Sequence, residues 1–237
     1  MNQNLKLNEL NAEISACRKC PRLVAWREQV AREKRKAYLG HEYWGKPVPG
    51  FGDPHGRIFV VGLAPGAHGS NRTGRQFTGD ASGNFLYPAL YRAGFSNQPD
   101  SVDRDDGLVL TDLYTAPVCR CAPPDNKPSL LEMANCQPFL ERELQLLQPI
   151  VIVVLGRIAF ESILRIYSKN SIGEKRSQAG VKFSHGALYH FPASSLIQHP
   201  FTLLCSYHPS QQNTLTGRLT VEMFDQIWST ARELIER

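Results

Sequence analysis

The chain has 237 residues, of which 42% are hydrophobic and 21% charged, and its formal net charge at pH 7 is +5. This length allows one domain with a good core and excludes two large domains. The first ten residues are polar and no apolar run is long enough to cross a bilayer, so we expect no membrane span, no secretion signal and a cytoplasmic location.

The N-terminal part of the chain concentrates positive charge. A polyanionic partner would explain this run, and so would the solvated face of a helix, because Glu28 and Glu33 punctuate it. Both interpretations stay open from the sequence. The basic residues are Arg18, Lys19, Arg22, Arg27, Arg32, Lys34, Arg35 and Lys36.

Four apolar runs without polar alternation predict strands that are buried on both faces, at residues 58–62, 108–112, 150–155 and 201–205. Helices are predicted between and after them, at residues 83–93, 130–147, 158–166 and 219–237. This alternation predicts an α/β fold, a three-layer α/β/α sandwich around a short four-stranded parallel sheet. We expect one domain over residues 1–237, with a helical extension at its N-terminus.

Functional loops in such sheets leave the carboxyl ends of the strands, and all four predicted exits carry chemically distinctive residues. The glycine-rich segment 62–83 follows the first strand, but it matches neither a phosphate-binding P-loop nor a dinucleotide-binding motif. The other exits lead to Cys121-Ala-Pro-Pro-Asp-Asn126, to Gly156-Arg157 and to Ser206-Tyr-His208-Pro-Ser210.

The cysteines point to metal binding, because thiols in a chain without an export signal stay reduced unless they bind metal or do chemistry. Cys17 and Cys20 form a C-x2-C pair, and Cys121 and Cys136 form a second, distant pair. Four thiolates fit an iron-sulfur cluster or an all-cysteine zinc site, which the spacing does not separate. Cys119 competes with Cys121 for the third ligand position.

The glycine-rich loop, the Cys121 segment and the terminal motif from Ser206 to Thr220 together resemble the type-b (family five) uracil-DNA glycosylases. The resemblance runs in order from Cys17 to Thr220, and the four-cysteine pattern is shared with family four. It implies a repair enzyme that flips uracil out of DNA and hydrolyses its glycosidic bond, leaving an abasic site. It also implies excision of hypoxanthine, xanthine or other damaged bases, and a 4Fe-4S cluster in preference to zinc.

The resemblance also implies roles for individual residues. Other branches of this superfamily carry a catalytic Asp, Asn or Glu directly after the first strand, where this chain has Leu63-Ala64. By the resemblance, the residue that activates water is instead Asp80. The alternative role of Asp80 is to cap the following helix. The catalytic residues are expected to be Asp80, Asn126 and His208, and the base-binding residues Gly62, Ala64, Phe77, Asn126 and His208.

These roles compete with structural ones. His208 is expected to stabilise the departing base by hydrogen bonding, whereas Phe77 stacks on the base or belongs to the core, and Asn126 binds base or water or stabilises a turn. The only lysine in a loop position where a Schiff base is expected is Lys127, and the resemblance implies that it is not used in that way. We therefore predict a monofunctional enzyme without a lyase step.

Segment 211–218 is, by the same resemblance, the loop that enters the DNA minor groove, with Leu215 as the candidate wedge. Its DNA-binding residues are expected to be Gln211, Gln212, Asn213 and Leu215. We expect a monomer that acts on uracil-containing DNA at the nucleoid, without a membrane partner. The alternatives are a metal-stapled nucleic-acid-binding module without catalysis and a hydrolase of free nucleosides.

Overall fold

The computed structural model describes residues 3–171 and 180–236. The six strands are β1 (Phe51–Gly52), β2 (Ile58–Gly62), β3 (Leu113–Pro117), β4 (Val151–Leu155), β5 (Leu188–Phe191) and β6 (Phe201–Ser206). They form one sheet in the order β1-β3-β2-β4-β6-β5.

The helices of the described residues flank this sheet. They are α1 (Gln3–Ala16), α2 (Pro21–Glu33), α3 (Ser70–Thr73), α4 (Gly83–Arg92), α5 (Leu130–Leu147), α6 (Arg157–Asn170), α7 (Gln211–Leu215) and α8 (Val221–Glu236). Short 3-10 turns occur at Lys36–Tyr38 and Pro124–Asn126. The predicted helices 83–93, 130–147, 158–166 and 219–237 correspond to α4, α5, α6 and α8, although residue 237 lies outside the described residues.

The two faces of the sheet are covered by different helices, which confirms the predicted three-layer sandwich. Phe59 and Val61 of β2 pack into a core shared with α5 and α6, whereas Ile58 and Val60 pack against α4 and α8. Because both faces are covered, the central strands are apolar throughout instead of alternating.

The four central strands run parallel, as predicted, and β1 and β5 add antiparallel edges that the sequence analysis missed. The reason is physical: β1 has only two residues, and most of β5 is half-buried or exposed, so neither forms a long apolar run.

The second predicted strand was placed wrongly. The strand is Leu113–Pro117, directly after the predicted 108–112 run. Asp112 adopts a left-handed φ of 59°, which ends any extended run, and its carboxylate pairs with Arg57. Leu110 forms only an isolated bridge to Ser96. The true strand contains Tyr, Thr and Pro, and a proline disfavours a central-strand assignment.

The register of the parallel strands brings their carboxyl ends to one edge of the sheet. Gly62 pairs with Pro117 across β2 and β3, and Leu155 pairs with Ser206 across β4 and β6. The loops that follow all four strands therefore meet at this edge. Among the described residues, no helix has the length and apolar character needed to cross a membrane.

Candidate active site

A cavity of about 580 Å³ opens at the carboxyl edge of the sheet. Its walls come from the exits of β2, β3 and β6, from the glycine-rich segment and from the start of α7. It is lined by Leu63, Ala64, Gly66, Ser70, Gln76, Phe77, Asp80, Ala81, Ser82, Asp125, Asn126, His208, Ser210, Gln211 and Gln212. The structure thus brings together Asp80, Phe77, Asn126 and His208, which are far apart in the chain.

Asp80 is held in place from two sides. Its Oδ1 accepts a hydrogen bond from the backbone N–H of Gly83 at 3.0 Å, in the first turn of α4. Its Oδ2 faces Gly69 and Gly66, where an added Cβ would lie 2.0 Å and 3.1 Å away. Asp80 therefore caps the helix and lines the cavity at once, so the two roles weighed from the sequence are compatible.

Burial raises the pKa of the Asp80 carboxyl, because the charged form loses hydration. The backbone N–H groups of Gly83 and Ser82 and the positive charge of Arg72 oppose that increase. The carboxylate is thus a stronger base than an exposed aspartate, and it keeps donors that stabilise its ionised form.

Arg72 is a buried arginine that the sequence analysis missed. Its Nε donates to the carbonyl of His68 at 2.9 Å, and its Nη2 lies 3.5 Å from the carbonyl of Gly79, directly before Asp80. The guanidinium also lies 4.4 Å from the centre of the Tyr38 ring. It thereby braces the two ends of segment 68–79, which leads directly into Asp80. An arginine among glycines was the available signal, but the two contacts that tie it to this segment are with backbone carbonyls, which a sequence does not reveal.

Phe77 forms a wall of the cavity and is 6% exposed. Its ring packs on Gly62 so closely that a Cβ there would lie 2.7 Å from Cζ, which explains the glycine at the end of β2. Phe77 itself has a left-handed φ of 51°, a strained conformation for an aromatic residue. Its ring centroid lies 6.2 Å from that of His208, with the planes at 42°. Gly62 thus shapes the site from behind Phe77, and Ala64 lines the cavity directly.

His208 follows β6, and burial lowers its pKa to about 4. The imidazole is therefore neutral at pH 7 and can donate one hydrogen bond. Two contacts fix its loop: the amide of Asn213 donates to the carbonyl of His208 at 2.8 Å, and the backbone N–H of Tyr207 donates to Nδ1 of His185 at 3.1 Å. His185, which lies before β5, was also missed, since nothing in its sequence neighbourhood marks it.

Asn126 lies at the end of the Pro124–Asn126 turn, and its side chain is exposed at the cavity rim. Asp125 and Asn126 have left-handed φ values of 53° and 56°. Asn and Asp tolerate this conformation better than other non-glycine residues. The turn therefore accounts for the residue types, and it also presents Asn126 to the cavity.

Segment 211–218 is not an irregular loop, because residues Gln211–Leu215 form the short helix α7. Gln211 and Gln212 line the cavity. Asn213 points back to the His208 backbone. Leu215 is 83% exposed at the end of this helix.

A second cavity of about 360 Å³ shares only Leu63 and His208 with the first. Arg157, at the start of α6, and Arg218 both line it. The guanidinium of Arg218 lies 4.7 Å from the centre of the Tyr207 ring. This places two cationic side chains beside the candidate site.

The four predicted ligand cysteines, Cys17, Cys20, Cys121 and Cys136, line one small enclosed cavity away from the candidate site. The first two lie between α1 and α2, Cys121 follows β3, and Cys136 lies in α5. Cys119 is buried but does not line this cavity. Among the described residues, no three His, Cys, Asp or Glu side chains converge closely enough to hold a single metal ion.

Hydrogen-bond donors surround these sulfurs. Arg27 Nη1 donates to Cys121 Sγ at 2.8 Å, and Arg27 is only 2% exposed. The Arg120 backbone N–H donates to Cys136 Sγ at 3.5 Å, and Asn135 Nδ2 donates to Cys20 Sγ at 3.4 Å. Donors aimed at sulfur, together with a buried cation, are typical of thiolates that carry negative charge.

Comparisons with known proteins match this chain to uracil-DNA glycosylases. The profile of the "Uracil DNA glycosylase superfamily" matches residues 49–232. A "Type-5 uracil-DNA glycosylase" of Mycobacterium leprae is 50% identical over 95% of this chain and 94% of its own length. One of Thermus thermophilus is 53% identical over 93% of this chain and 94% of its own. A "Type-4 uracil-DNA glycosylase" of Pyrobaculum aerophilum is 29% identical over 81% of this chain and 85% of its own.

Proposed function

Because this chain belongs to the uracil-DNA glycosylase superfamily, we propose that it is a DNA-repair hydrolase that removes uracil from DNA and leaves an abasic site. The observation that carries this proposal is the shared cavity of Asp80 and His208. A base and a hydrogen-bond donor on one cavity are what hydrolysis of a glycosidic bond requires.

In the proposed reaction, Asp80 orients a water molecule toward the anomeric carbon of the flipped nucleotide. The C–N bond to the base breaks, the water oxygen forms the new bond to that carbon, and the water proton passes to the carboxylate. The negative charge of Asp80 also stabilises the positive charge that develops on the sugar. The bonding electrons leave with the base, which takes up a proton after it departs.

His208 is proposed to stabilise the departing base. Since its pKa is about 4, the imidazole is neutral at pH 7 and donates a hydrogen bond from its one protonated nitrogen. A fixed donor of this kind contributes on the order of 3 kcal/mol to the transition state in comparable sites. The contacts of His185 and Asn213 with the same loop keep the donor in place.

Phe77 and Asn126 are proposed to bind the flipped base, the first by stacking and the second through its amide. Leu63 and Ala64 line the cavity where other superfamily branches carry a polar catalytic side chain. A pocket without that polar group discriminates less between base edges. We therefore propose that hypoxanthine and xanthine are also substrates.

Helix α7 is proposed to enter the duplex beside the flipped nucleotide. Leu215 is exposed at its end and would fill the space that the base leaves, while Gln211 and Gln212 lie at the cavity. Apolar wedges of this kind stabilise the distorted duplex.

We propose that Cys17, Cys20, Cys121 and Cys136 hold a 4Fe-4S cluster, which would supply a rigid, negatively charged cross-link between the helical extension α1–α2 and the sheet domain. Their common cavity, the donors on three sulfurs and the buried Arg27 support this assignment. A zinc ion needs all its ligand atoms about 2.3 Å away. Because no three such side chains among the described residues converge on a single ion, we propose the larger cluster instead.

We also propose a cellular location and an oligomeric state. An enzyme of chromosomal DNA works inside the cell, at the nucleoid. Because one chain supplies the whole cavity, we propose that it acts as a monomer.

Incubation with a uracil-containing oligonucleotide, followed by alkaline cleavage, tests the function. Strand scission at the uracil, and none in the matching thymine oligonucleotide, is the expected result. Binding without scission would instead support the metal-stapled module. Release of uracil from free deoxyuridine but not from DNA would support a nucleoside hydrolase.

A further inference from the structure

Six of the eight basic residues between Arg18 and Lys36 fall into two groups in the structure. Of the other two, Lys19 lies over the Phe139 ring and Lys34 donates to the carbonyl of Leu39. Arg18 pairs with Glu28 and Arg22 with Glu132, while Arg27 is buried at the cysteine cavity. These three arginines are engaged in contacts within the protein. They therefore do not explain why the other basic residues of the run are present.

The second group comprises Arg32, Arg35 and Lys36, which we name the basic patch. All three are exposed, and none forms an ion pair within the part of the chain that the structure describes. Arg32 lies one turn from Glu28, whose carboxylate already binds Arg18. Exposed cations of one sign that lack partners within the protein attract a polyanion.

The basic patch is tied to the rim of the candidate active site. The backbone N–H of Arg35 donates to the Tyr43 hydroxyl at 3.4 Å, and that hydroxyl lies 3.0 Å from Nδ1 of His68. His68 lies between Gly66, which lines the cavity, and Gly69, which contacts Asp80.

The segment after the patch also docks beside the cavity. The backbone N–H of Trp44 donates to the carbonyl of Arg72 at 2.8 Å, and that of Gly45 donates to the carbonyl of Asn71 at 3.0 Å. Both acceptors belong to α3, whose first residue, Ser70, lines the cavity. The patch and the cavity mouth are therefore neighbours on the same edge of the molecule.

We propose that the basic patch binds backbone phosphates of the DNA duplex outside the flipped nucleotide. This inference rests on the proposed function, since it takes DNA as the ligand. Phosphate contacts fix the position of a protein on DNA without reading sequence. The patch would hold the duplex while α7 and the cavity act on one nucleotide.

Salt dependence of binding gives a direct measure of such contacts. Each neutralised phosphate releases counterions and adds about 0.9 to the slope of log K against log salt for a duplex. Replacing Arg35 and Lys36 by glutamine should thus lower the magnitude of the slope by about 2. Both side chains are exposed and form no hydrogen bond or ion pair within the described residues, so folding should be unaffected.

The experiment compares variants by fluorescence anisotropy on a labelled duplex without uracil, between about 50 and 200 mM NaCl. The matched control is Lys6→Gln with Arg165→Gln, which removes equal charge. Gln3 contacts Pro54 and Leu146 at the amino edge of the sheet, so Lys6 lies far from the site. Arg165 lies in the second half of α6, which runs back from the carboxyl edge.

A smaller slope for Arg35→Gln/Lys36→Gln alone, restored by the charge-preserving Arg35→Lys/Lys36→Arg, supports the proposal. An unchanged slope, or an equal loss in the control, overturns it. Uracil excision by the wild-type protein is measured in parallel. Its absence would contradict the proposed function, and the slopes would still decide whether the patch binds DNA.

Discussion

The carboxylate of Asp80 rests against the backbone of Gly69, where an added Cβ would lie 2.0 Å from Oδ2 and 2.7 Å from Cγ. Real Cβ atoms do not approach this closely, so any side chain at position 69 displaces the carboxylate. The glycine thereby fixes the position of the proposed base.

Gly69→Ala should therefore lower the excision rate on the order of a hundredfold, since a shift of about 1 Å in a catalytic group costs that much. DNA binding should change little. Single-turnover excision and anisotropy measure the two effects. Gly40→Ala is the matched control, because a Cβ at Gly40 meets nothing within 4 Å. Equal rates for Gly69→Ala and wild type would show that the carboxylate position does not matter.

Asp80→Asn should lower turnover by about 10² to 10⁴ while retaining DNA binding, because the amide cannot accept the proton of water. It should also raise the melting temperature at neutral pH. The pKa of Asp80 is raised on folding, so its stabilising effect is present at low pH and is lost as the pH rises through the folded-state pKa.

At neutral pH the ionised carboxylate thus destabilises the fold, and the neutral amide removes that cost. Thermal unfolding at pH 7 and at low pH tests this, with the stabilisation expected only at pH 7. Unchanged excision by Asp80→Asn would remove this residue from the mechanism.

The sequence predicted the central strands and the helices that carry the site because they are continuous apolar or amphipathic runs. Strand β3 was misplaced because Tyr114, Thr115 and Pro117 do not look like a buried strand, although all three are buried. The family resemblance named Asp80 and His208, and the exits of the predicted parallel strands led us to expect both at one edge of the sheet, where they line one cavity. Arg72 and His185 were not predictable, because the contacts that tie them to the site are with backbone atoms: Arg72 reaches the carbonyls of His68 and Gly79, and His185 accepts from the N–H of Tyr207.

His208→Ala should lower excision by about 10² to 10³, the usual effect of losing one donor to a developing anion. Because burial holds the pKa of His208 at about 4, the imidazole does not titrate between pH 6 and 8. The acid limb of the pH–rate profile should therefore be the same in the variant and the wild type. If the acid limb disappeared in His208→Ala, the group that titrates in that limb would be the His208 imidazole. His55→Ala, which alters an exposed histidine before β2, is the control.

Cys20→Ala should yield protein without a visible iron-sulfur absorption band and with lowered thermal stability, because cluster binding contributes to folding. Iron and acid-labile sulfide analysis checks the loss. Cys119→Ala should keep the band, since Cys119 lies outside the cysteine cavity, whereas Cys121→Ala should lose it. A coloured, active Cys20→Ala protein would contradict the ligand assignment. One equivalent of zinc in the wild-type protein, without iron, would show that the site binds zinc and not a cluster.

Arg72→Gln should lower the turnover of bound DNA by about tenfold to a hundredfold, with little effect on affinity. The arginine donates to the carbonyl of His68 and lies 3.5 Å from that of Gly79, the residue directly before Asp80. It also lowers the pKa of Asp80 by its charge, so its loss should move the acid limb of the pH–rate profile to higher pH.

Arg72→Lys separates the two effects of this residue. Lysine keeps the positive charge but cannot bridge two carbonyls with a planar fork, so the acid limb should return toward the wild-type position while turnover stays low. Arg75→Gln is the comparison, because Arg75 is equally buried but binds Asp106. It should cost stability without moving the limb. A limb that stayed in place in Arg72→Gln would show that the arginine acts only as a structural brace.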